Sequence, residues 1–171
     1  MKFSIIAAVD DHLGIGKNND LPWHLKADFK NFVAVTVGSG NNAVIMGSNT
    51  WRSLPRKFRP LKDRLNVVLN QDVNLELPAG VLLFTSLDQA LASLATKNLT
   101  EVFVIGGARL YATAIEHPDC VKLYLTRILA TFDCDVYFPA LPDRFKLVSE
   151  TEVQSEGDLK FKFLVYQTNP S

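Results

Sequence analysis

Cysteine and histidine are scarce in this chain, and it has no surplus of charge. Its 171 residues hold two cysteines, Cys120 and Cys134, with neither C-x-x-C spacing nor the look of a disulfide framework. Three scattered histidines (His12, His24 and His117) make no ligand cluster with them, so no metal is expected. Lys+Arg and Asp+Glu both total 18, and a net charge of zero gives no footing for a broad grip on nucleic acid or an anionic membrane. A local basic patch for a small anion stays open. No apolar run approaches the ~20 residues that cross a bilayer. The run from Phe3 to Val9 meets Asp10-Asp11-His12 before it reaches the length of a signal-peptide core. These absences lead us to expect a reduced, soluble, cytoplasmic chain, monomeric because no coiled-coil pattern is evident.

What is present is an ordinary globular composition, 47% apolar and 21% charged. The length suits one domain over 1–171, large enough to bury roughly 68–70% of its unfolded surface without staples. Near-continuous apolar runs at Phe3–Val9, Ala43–Met46, Leu65–Leu69, Val81–Phe84 and Val102–Ile105 fit strands buried on both faces of a mostly parallel sheet. Helical candidates alternate with them at Leu25–Val37, Asn49–Leu54, Leu87–Ala95 and Ala108–Ile115, which predicts an α/β fold with helices on both faces. In the last third, Val121–Ile128, Phe145–Thr151 and Leu159–Gln167 read as strands, and Glu156-Gly157-Asp158 predicts a closing hairpin. Pro55 to Pro60 reads as a basic loop.

One residue breaks the pattern. With residues spaced at roughly 100° and Leu25 at zero, Phe32 falls at about −20°, Phe29 at about +40°, Val33 at about +80° and Val35 at about −80°. They make one apolar stripe, and Asp28, at about −60°, lies within it. A carboxylate there is costly unless something pairs with it. Either a buried Arg or a backbone cap does so, or its partner is a ligand that presents two donors. Just upstream, Leu13 to Trp23 joins a buried strand to this helix through Gly14, Gly16 and Pro22, as a mobile loop over a ligand would. Gly14-Ile15-Gly16-Lys17 is not a phosphate loop: Asp11 holds the place of its first glycine, and Asn18 that of the Ser/Thr after Lys17.

Two strand–glycine–helix junctions follow. Ile105-Gly106-Gly107-Ala108-Arg109-Leu110-Tyr111 lets a ligand approach the backbone and meet the free N–H groups of a helix, although tight packing also selects paired glycines. Met46-Gly47-Ser48-Asn49-Thr50-Trp51 repeats the arrangement, with Ser48 or Asn49 expected to cap the helix. Two such junctions favour a dinucleotide over a mononucleotide.

In this order, the elements resemble dihydrofolate reductase over nearly the whole chain. The motifs are Gly14-Ile15-Gly16-Lys17-Asn18-Asn19-Asp20-Leu21-Pro22-Trp23 with Asp28, Val44-Ile45-Met46-Gly47 with Thr50-Trp51, and Arg59-Pro60-Leu61-Lys62-Asp63-Arg64-Leu65-Asn66. Ile105-Gly106-Gly107 with Arg109 and Tyr111, then Leu123-Tyr124-Leu125-Thr126 and Asp135-Val136-Tyr137-Phe138-Pro139, complete the set. The resemblance implies a mainly parallel eight-stranded sheet with an antiparallel C-terminal strand and flanking helices. It implies reduction of 7,8-dihydrofolate by NADPH.

By the same resemblance, Asp28, Trp23 and Leu21 serve catalysis. Ile6, Ala8, Phe32 and Leu54 line the pocket, with Thr126 beside Asp28, Leu61 on the benzoyl ring and Arg64 on the α-carboxylate. The cofactor would meet Ala8, Ile15, Gly16, Asn19, Asp20, Gly47, Ser48, Asn49, Thr50, Leu69, Asn70, Gln71, Ile105, Gly106, Gly107, Ala108, Arg109, Leu110 and Tyr111. The chain departs from the family where basic residues commonly hold the cofactor's 2′-phosphate: here stand Ser48-Asn49 and Asn70-Gln71. Two alternatives to this function are a silent folate- or nucleotide-binding protein and a same-fold reductase of another pterin or pyrimidine.

Overall fold

A computed structural model describes residues 1–169. The chain runs β1 (Phe3–Val9), β2 (Gly14–Gly16), α1 (Lys26–Val37), β3 (Asn42–Gly47), α2 (Ser48–Ser53), a 3-10 turn (Arg56–Phe58), β4 (Arg64–Leu69) and β5 (Leu82–Phe84). It continues through α3 (Leu87–Leu94), β6 (Val102–Val104), α4 (Ala108–Glu116), β7 (Cys120–Ile128), β8 (Val136–Tyr137), β9 (Phe145–Glu150), β10 (Gln154–Glu156) and β11 (Leu159–Thr168). The main sheet has nine strands in the order β10-β11-β7-β1-β6-β3-β4-β5, with β9 also on β11. Because β7 takes one flank of β11, β9 and β10 share the other, so nine strands fill eight positions.

From β7 to β5 every pairing is parallel, and β11 alone reverses direction against β7. The central strands are apolar because both of their faces are covered. Ala43, Val44, Ile45 and Met46 of β3 are all buried. Alternation along β1 separates the two layers. Ile5, Ala7 and Val9 point to the side packed by α3 and α4, while Ile6 and Ala8 point to the side of α1 and α2. Parallel strands carry their C-terminal ends to one edge, where the loops after β1, β3, β4 and β6 converge.

Sequence and structure differ at particular places. Gly14–Gly16, expected as part of a free loop, is a strand paired antiparallel with Val136–Tyr137. Gly14 is needed there because a Cβ would lie 2.5 Å from Cys134 Sγ. The Glu156 turn forms as expected, with Glu156 opposite Leu159, and adds the short strand β10. Neither Ser48 nor Asn49 caps α2: Gly47 is the N-cap, with no side-chain hydrogen bond, and Ser48 begins the helix. Extended backbone at Gly47 moves the start one residue earlier, and Ser48 Oγ turns to Asn70 Oδ1 at 3.4 Å. Phe29, placed by periodicity in the buried stripe, is 49% exposed.

Candidate active site

Two apolar clusters cover the α1 face of the sheet, one around Ile6, Met46, Trp51 and Leu61, the other around Trp23, Leu25, Ile128 and Phe161. Phe32 and Leu54 pack on the first, Ala8 and Ala27 on the second. Ile6 and Ala8 are consecutive inward residues of β1, so the break between the clusters crosses that strand. Asp28 stands on the helix above this break.

Its carboxylate finds no cation. Thr126, buried on β7, donates its hydroxyl to Asp28 Oδ1 at 2.6 Å, and Asp28 takes part in no salt bridge among the described residues. Burial pushes the carboxyl above the ordinary carboxylate range, and the Thr126 hydrogen bond offsets only part of this. Of the partners open from sequence, neither a buried Arg nor a backbone N–H reaches it among the described residues, and the side chain keeps acceptor capacity to spare. Trp23 supplies a complementary excess: its Nε1 is the one buried side-chain polar atom without a partner among the described residues. Such a donor costs about 1–3 kcal/mol until something accepts from it.

The helix that carries Asp28 is anchored from a distance. Leu25 offers no side-chain cap to α1, and Glu156, at the tip of the β10–β11 hairpin, fills that role. The Lys26 N–H donates to Oε2 at 2.8 Å and the Ala27 N–H to Oε1 at 2.9 Å. These two backbone donors hold the Glu156 carboxyl below its usual range. Sequence identified the Glu156 turn and not this use of its side chain, which joins residues 130 positions apart.

The opposing wall comes from residues 54 to 64. Leu61 is buried; the Arg64 guanidinium donates to Thr36 Oγ1 at 2.9 Å and to the Lys62 carbonyl at 2.8 Å, and lies 5.8 Å from the Phe32 ring centroid. Burial draws Arg64 below its ordinary value, with Asp63 pulling the other way. No carboxylate forms a salt bridge with it among the described residues.

At the sheet's C-terminal edge the two glycine junctions meet. The Gly47 N–H donates to the Gly106 carbonyl at 2.8 Å, and a Cβ built on Gly47 would lie 3.9 Å from both Gly106 O and Gly107 N. Thr50 Oγ1 lies 3.4 Å from where a Gly107 Cβ would stand. Gly106 has φ +114°, and a side chain there would sit 3.1 Å from the Tyr111 ring. Tyr111 is buried, donates its hydroxyl to the Ile6 carbonyl at 2.9 Å and packs on Phe138. Burial and then the nearby Asp28 charge raise the Tyr111 hydroxyl well above its usual range, so it stays a neutral donor.

The loop after β1 is tied down at its start. Asp10, buried, accepts from the backbone N–H groups of His12, Gly14 and Phe132 at 2.8–3.0 Å. Burial alone would raise its carboxyl, but these donors bring the balance below the ordinary range. Ile15 is half-buried and Gly16 buried within β2, and the exposed Asn19 and Asp20 complete a turn closed by reciprocal hydrogen bonds between Lys17 and Asp20. Leu21 follows, 53% exposed.

Beyond the glycines, towards β4 and β5, Ser48, Asn49, Asn70 and Gln71 are all neutral. Gln71 donates to the Thr85 carbonyl at 2.8 Å, Ser48 faces Asn70, and Leu69 is half-buried at the strand end. Arg52 reaches back to Asn49 Oδ1 at 3.4 Å. Ala108, Arg109 and Leu110 open α4, Arg109 exposed, and Ile105 packs on the Ile6 cluster.

An open α/β sheet with a carboxylate in an apolar cleft and a glycine-lined edge beside it has the layout of an α/β enzyme that binds its ligands at the C-terminal ends of the strands. The family model described as dihydrofolate reductase matches residues 2–168. A dihydrofolate reductase of Heliothis virescens is 40% identical over 180 residues, covering 98% of this chain and 97% of that protein. That of Sus scrofa is 41% identical, with 96% of each covered. The solved Schistosoma mansoni dihydrofolate reductase superposes with a TM-score of 0.85 at 37% identity, covering 98% of both chains. The chain belongs to the dihydrofolate reductase family.

Proposed function

We propose that this chain reduces 7,8-dihydrofolate to 5,6,7,8-tetrahydrofolate with NADPH, and that the cleft between α1 and residues 54–64 takes the substrate. One observation carries the reading. Asp28 is a desolvated carboxylate whose only side-chain partner among the described residues is Thr126, and a ring with an amidine edge supplies the two donors it needs. The glycine junctions fit the cofactor, because the space a Cβ would fill at Gly47 and Gly107 is left to a ligand's phosphates. NADPH supplies, when bound, the hydride that adds to the carbon of the substrate's C=N bond.

The chain's residues do the rest. Asp28, with Thr126, fixes the ring's orientation and draws positive charge towards it, which favours proton uptake at the adjacent nitrogen. Ile6, Ala8, Phe32, Leu54 and Trp23 line the break and exclude water, with Leu21 on the loop above. Arg64 pairs with the α-carboxylate and Leu61 packs on the benzoyl ring. Ala8, Ile15, Gly16, Asn19, Asp20, Gly47, Ser48, Asn49, Thr50, Leu69, Asn70, Gln71, Ile105, Gly106, Gly107, Ala108, Arg109, Leu110 and Tyr111 border the cofactor. Mixing protein, NADPH and dihydrofolate and following loss of NADPH absorbance tests the activity. Inhibition by a diaminopyrimidine tests the Asp28 pairing, since that ring presents the same two donors.

Two outcomes test the far ends of the site. Arg64→Lys raises KM for dihydrofolate by about 10- to 100-fold with little change in kcat, because a point charge loses the two-pronged contact. An unchanged KM removes Arg64 from the substrate's tail. With Ser48, Asn49, Asn70 and Gln71 all neutral, NADPH leads NADH in kcat/KM by a narrow margin. A preference of roughly several hundredfold or more would mean that a cation such as Arg52 has taken over.

We further infer a single domain over 1–171 that works as a cytoplasmic monomer without nucleic-acid or membrane partners. Balanced charge and two buried free thiols, Cys120 and Cys134, support this. No helix among the described residues is long and apolar enough to cross a membrane.

A further inference from the structure

A cavity of about 170 Å³ lies on the far side of the sheet from Asp28, behind the C-terminal ends of β1 and β7. Strand alternation puts it there. Ala8 and Thr126 face the candidate active site, so their neighbours Val9, Leu125 and Arg127 point the opposite way. Val9, Leu125 and Leu164 are buried and form its floor. Leu13, Leu141 and Tyr166, all half-buried, form its walls. An apolar cavity of roughly 150 Å³ takes a benzene molecule, so this one has room for a phenyl ring.

The free charges are confined to the mouth. Arg127 Nη2 donates to Asp11 Oδ1 at 3.3 Å, and both side chains are partly exposed. Among the described residues no other salt bridge engages either of them. The pair meets through one nitrogen and one oxygen, which leaves Asp11 its second oxygen and Arg127 its other N–H groups. Neighbouring charges are already matched. Asp10 gives both oxygens to the backbone N–H groups of His12, Gly14 and Phe132. Lys162, opposite Arg127 in the β7–β11 ladder, is paired with Glu150. One anion and one cation, each with capacity to spare, therefore stand side by side above an apolar floor.

We propose that this cavity is a second ligand site, for a free α-amino acid with an aromatic side chain. The carboxylate of such a zwitterion lies on Arg127, its ammonium on Asp11 and its ring on Val9, Leu125 and Leu164. A simple anion would meet the Asp11 charge and a simple cation that of Arg127. A head group that carries both signs gains from both. The sheet separates this site from the cleft at Asp28, and it stands whether or not the chain reduces dihydrofolate.

Titration of isotope-labelled protein with L-phenylalanine, followed by NMR, tests the site. The amides of Asp11, Leu125, Arg127 and Tyr166 shift most, and they saturate with a Kd of about 1 mM or tighter, the range for a ligand of this size. Phenylpropionate lacks the ammonium, phenethylamine the carboxylate and alanine the ring, and each binds about tenfold or more weakly. Arg127→Gln weakens phenylalanine binding by about tenfold, and Leu141→Trp, which fills the cavity from a loop, abolishes it. Both variants melt within about 4 °C of wild type, less than a core disruption would cost. Phenylpropionate binding as tightly as phenylalanine, or full affinity in Arg127→Gln, would overturn the proposal. So would shifts centred on Asp28 and Phe32, or the absence of saturable shifts.

Discussion

Asp28→Asn loses turnover at pH 7 by about 10²-fold or more, the scale of assisted proton transfer, and regains part of it as the pH falls and the substrate protonates itself. The substitution is a clean probe of charge. Asn Oδ1 still accepts the Thr126 hydroxyl, so the 2.6 Å contact has a partner, while one acceptor facing the ring becomes a donor and the negative charge disappears. A pH profile of kcat/KM from about pH 5 to 8, followed through NADPH absorbance, measures the effect. Full activity at neutral pH would remove Asp28 from the chemistry.

The same substitution moves stability in the opposite direction. The Asp28 pKa is raised in the folded state relative to the unfolded chain, chiefly by burial. Its ionisation therefore opposes folding: the cost is absent below the unfolded pKa, grows as the pH climbs through the folded one, and is complete above it. Asp28→Asn is then more stable than wild type at pH 7, and the difference closes in acid. Thermal unfolding of the two proteins at pH 7 and near pH 4 checks this, and a lower melting temperature for the variant at pH 7 contradicts it. A site that gains stability when its key residue is neutralised has kept a strained charge for function.

Gly106→Ala carries the second large effect. At φ +114° the backbone lies in a region that side chains rarely enter, and the new Cβ would stand 3.1 Å from the Tyr111 ring. Strain of this kind costs about 1–3 kcal/mol, and at about 2–4 °C per kcal/mol for a chain of this size it is visible as a lower melting temperature. Tyr111 must also shift, which disturbs its bond to the Ile6 carbonyl, and the Gly106 carbonyl is the acceptor for Gly47. We therefore expect NADPH affinity to fall by about tenfold or more, read by quenching of tryptophan fluorescence, since about 1.4 kcal/mol of misplacement suffices. Wild-type melting and wild-type NADPH affinity together would show that the junction is not part of the cofactor site.

The sheet was legible wherever burial is two-sided. Val44, Ile45 and Met46, or Val102 and Phe103, read as strands because nothing polar survives between two helical layers. Short strands without an apolar run left no such trace. Gly14–Gly16 and Gln154–Glu156 are strands only because Val136–Tyr137 and Leu159–Phe161 lie beside them. Periodicity put Asp28 among apolar neighbours correctly, yet put Phe29 there too, since a helical wheel cannot tell a core from the rim of a cleft.

The sequence alone determined the alternation of strands and helices, the order of the glycine junctions, and the presence of a carboxylate on an apolar helical stripe. Each is a local matter of side-chain type and spacing. Tertiary structure decided what depends on residues distant along the chain. No arginine reaches Asp28 among the described residues, Glu156 holds the start of α1 across 130 positions, and Phe58 comes to rest on Phe29. Contacts of this kind are set by how the layers stack, and no local pattern of residue types encodes which partner arrives.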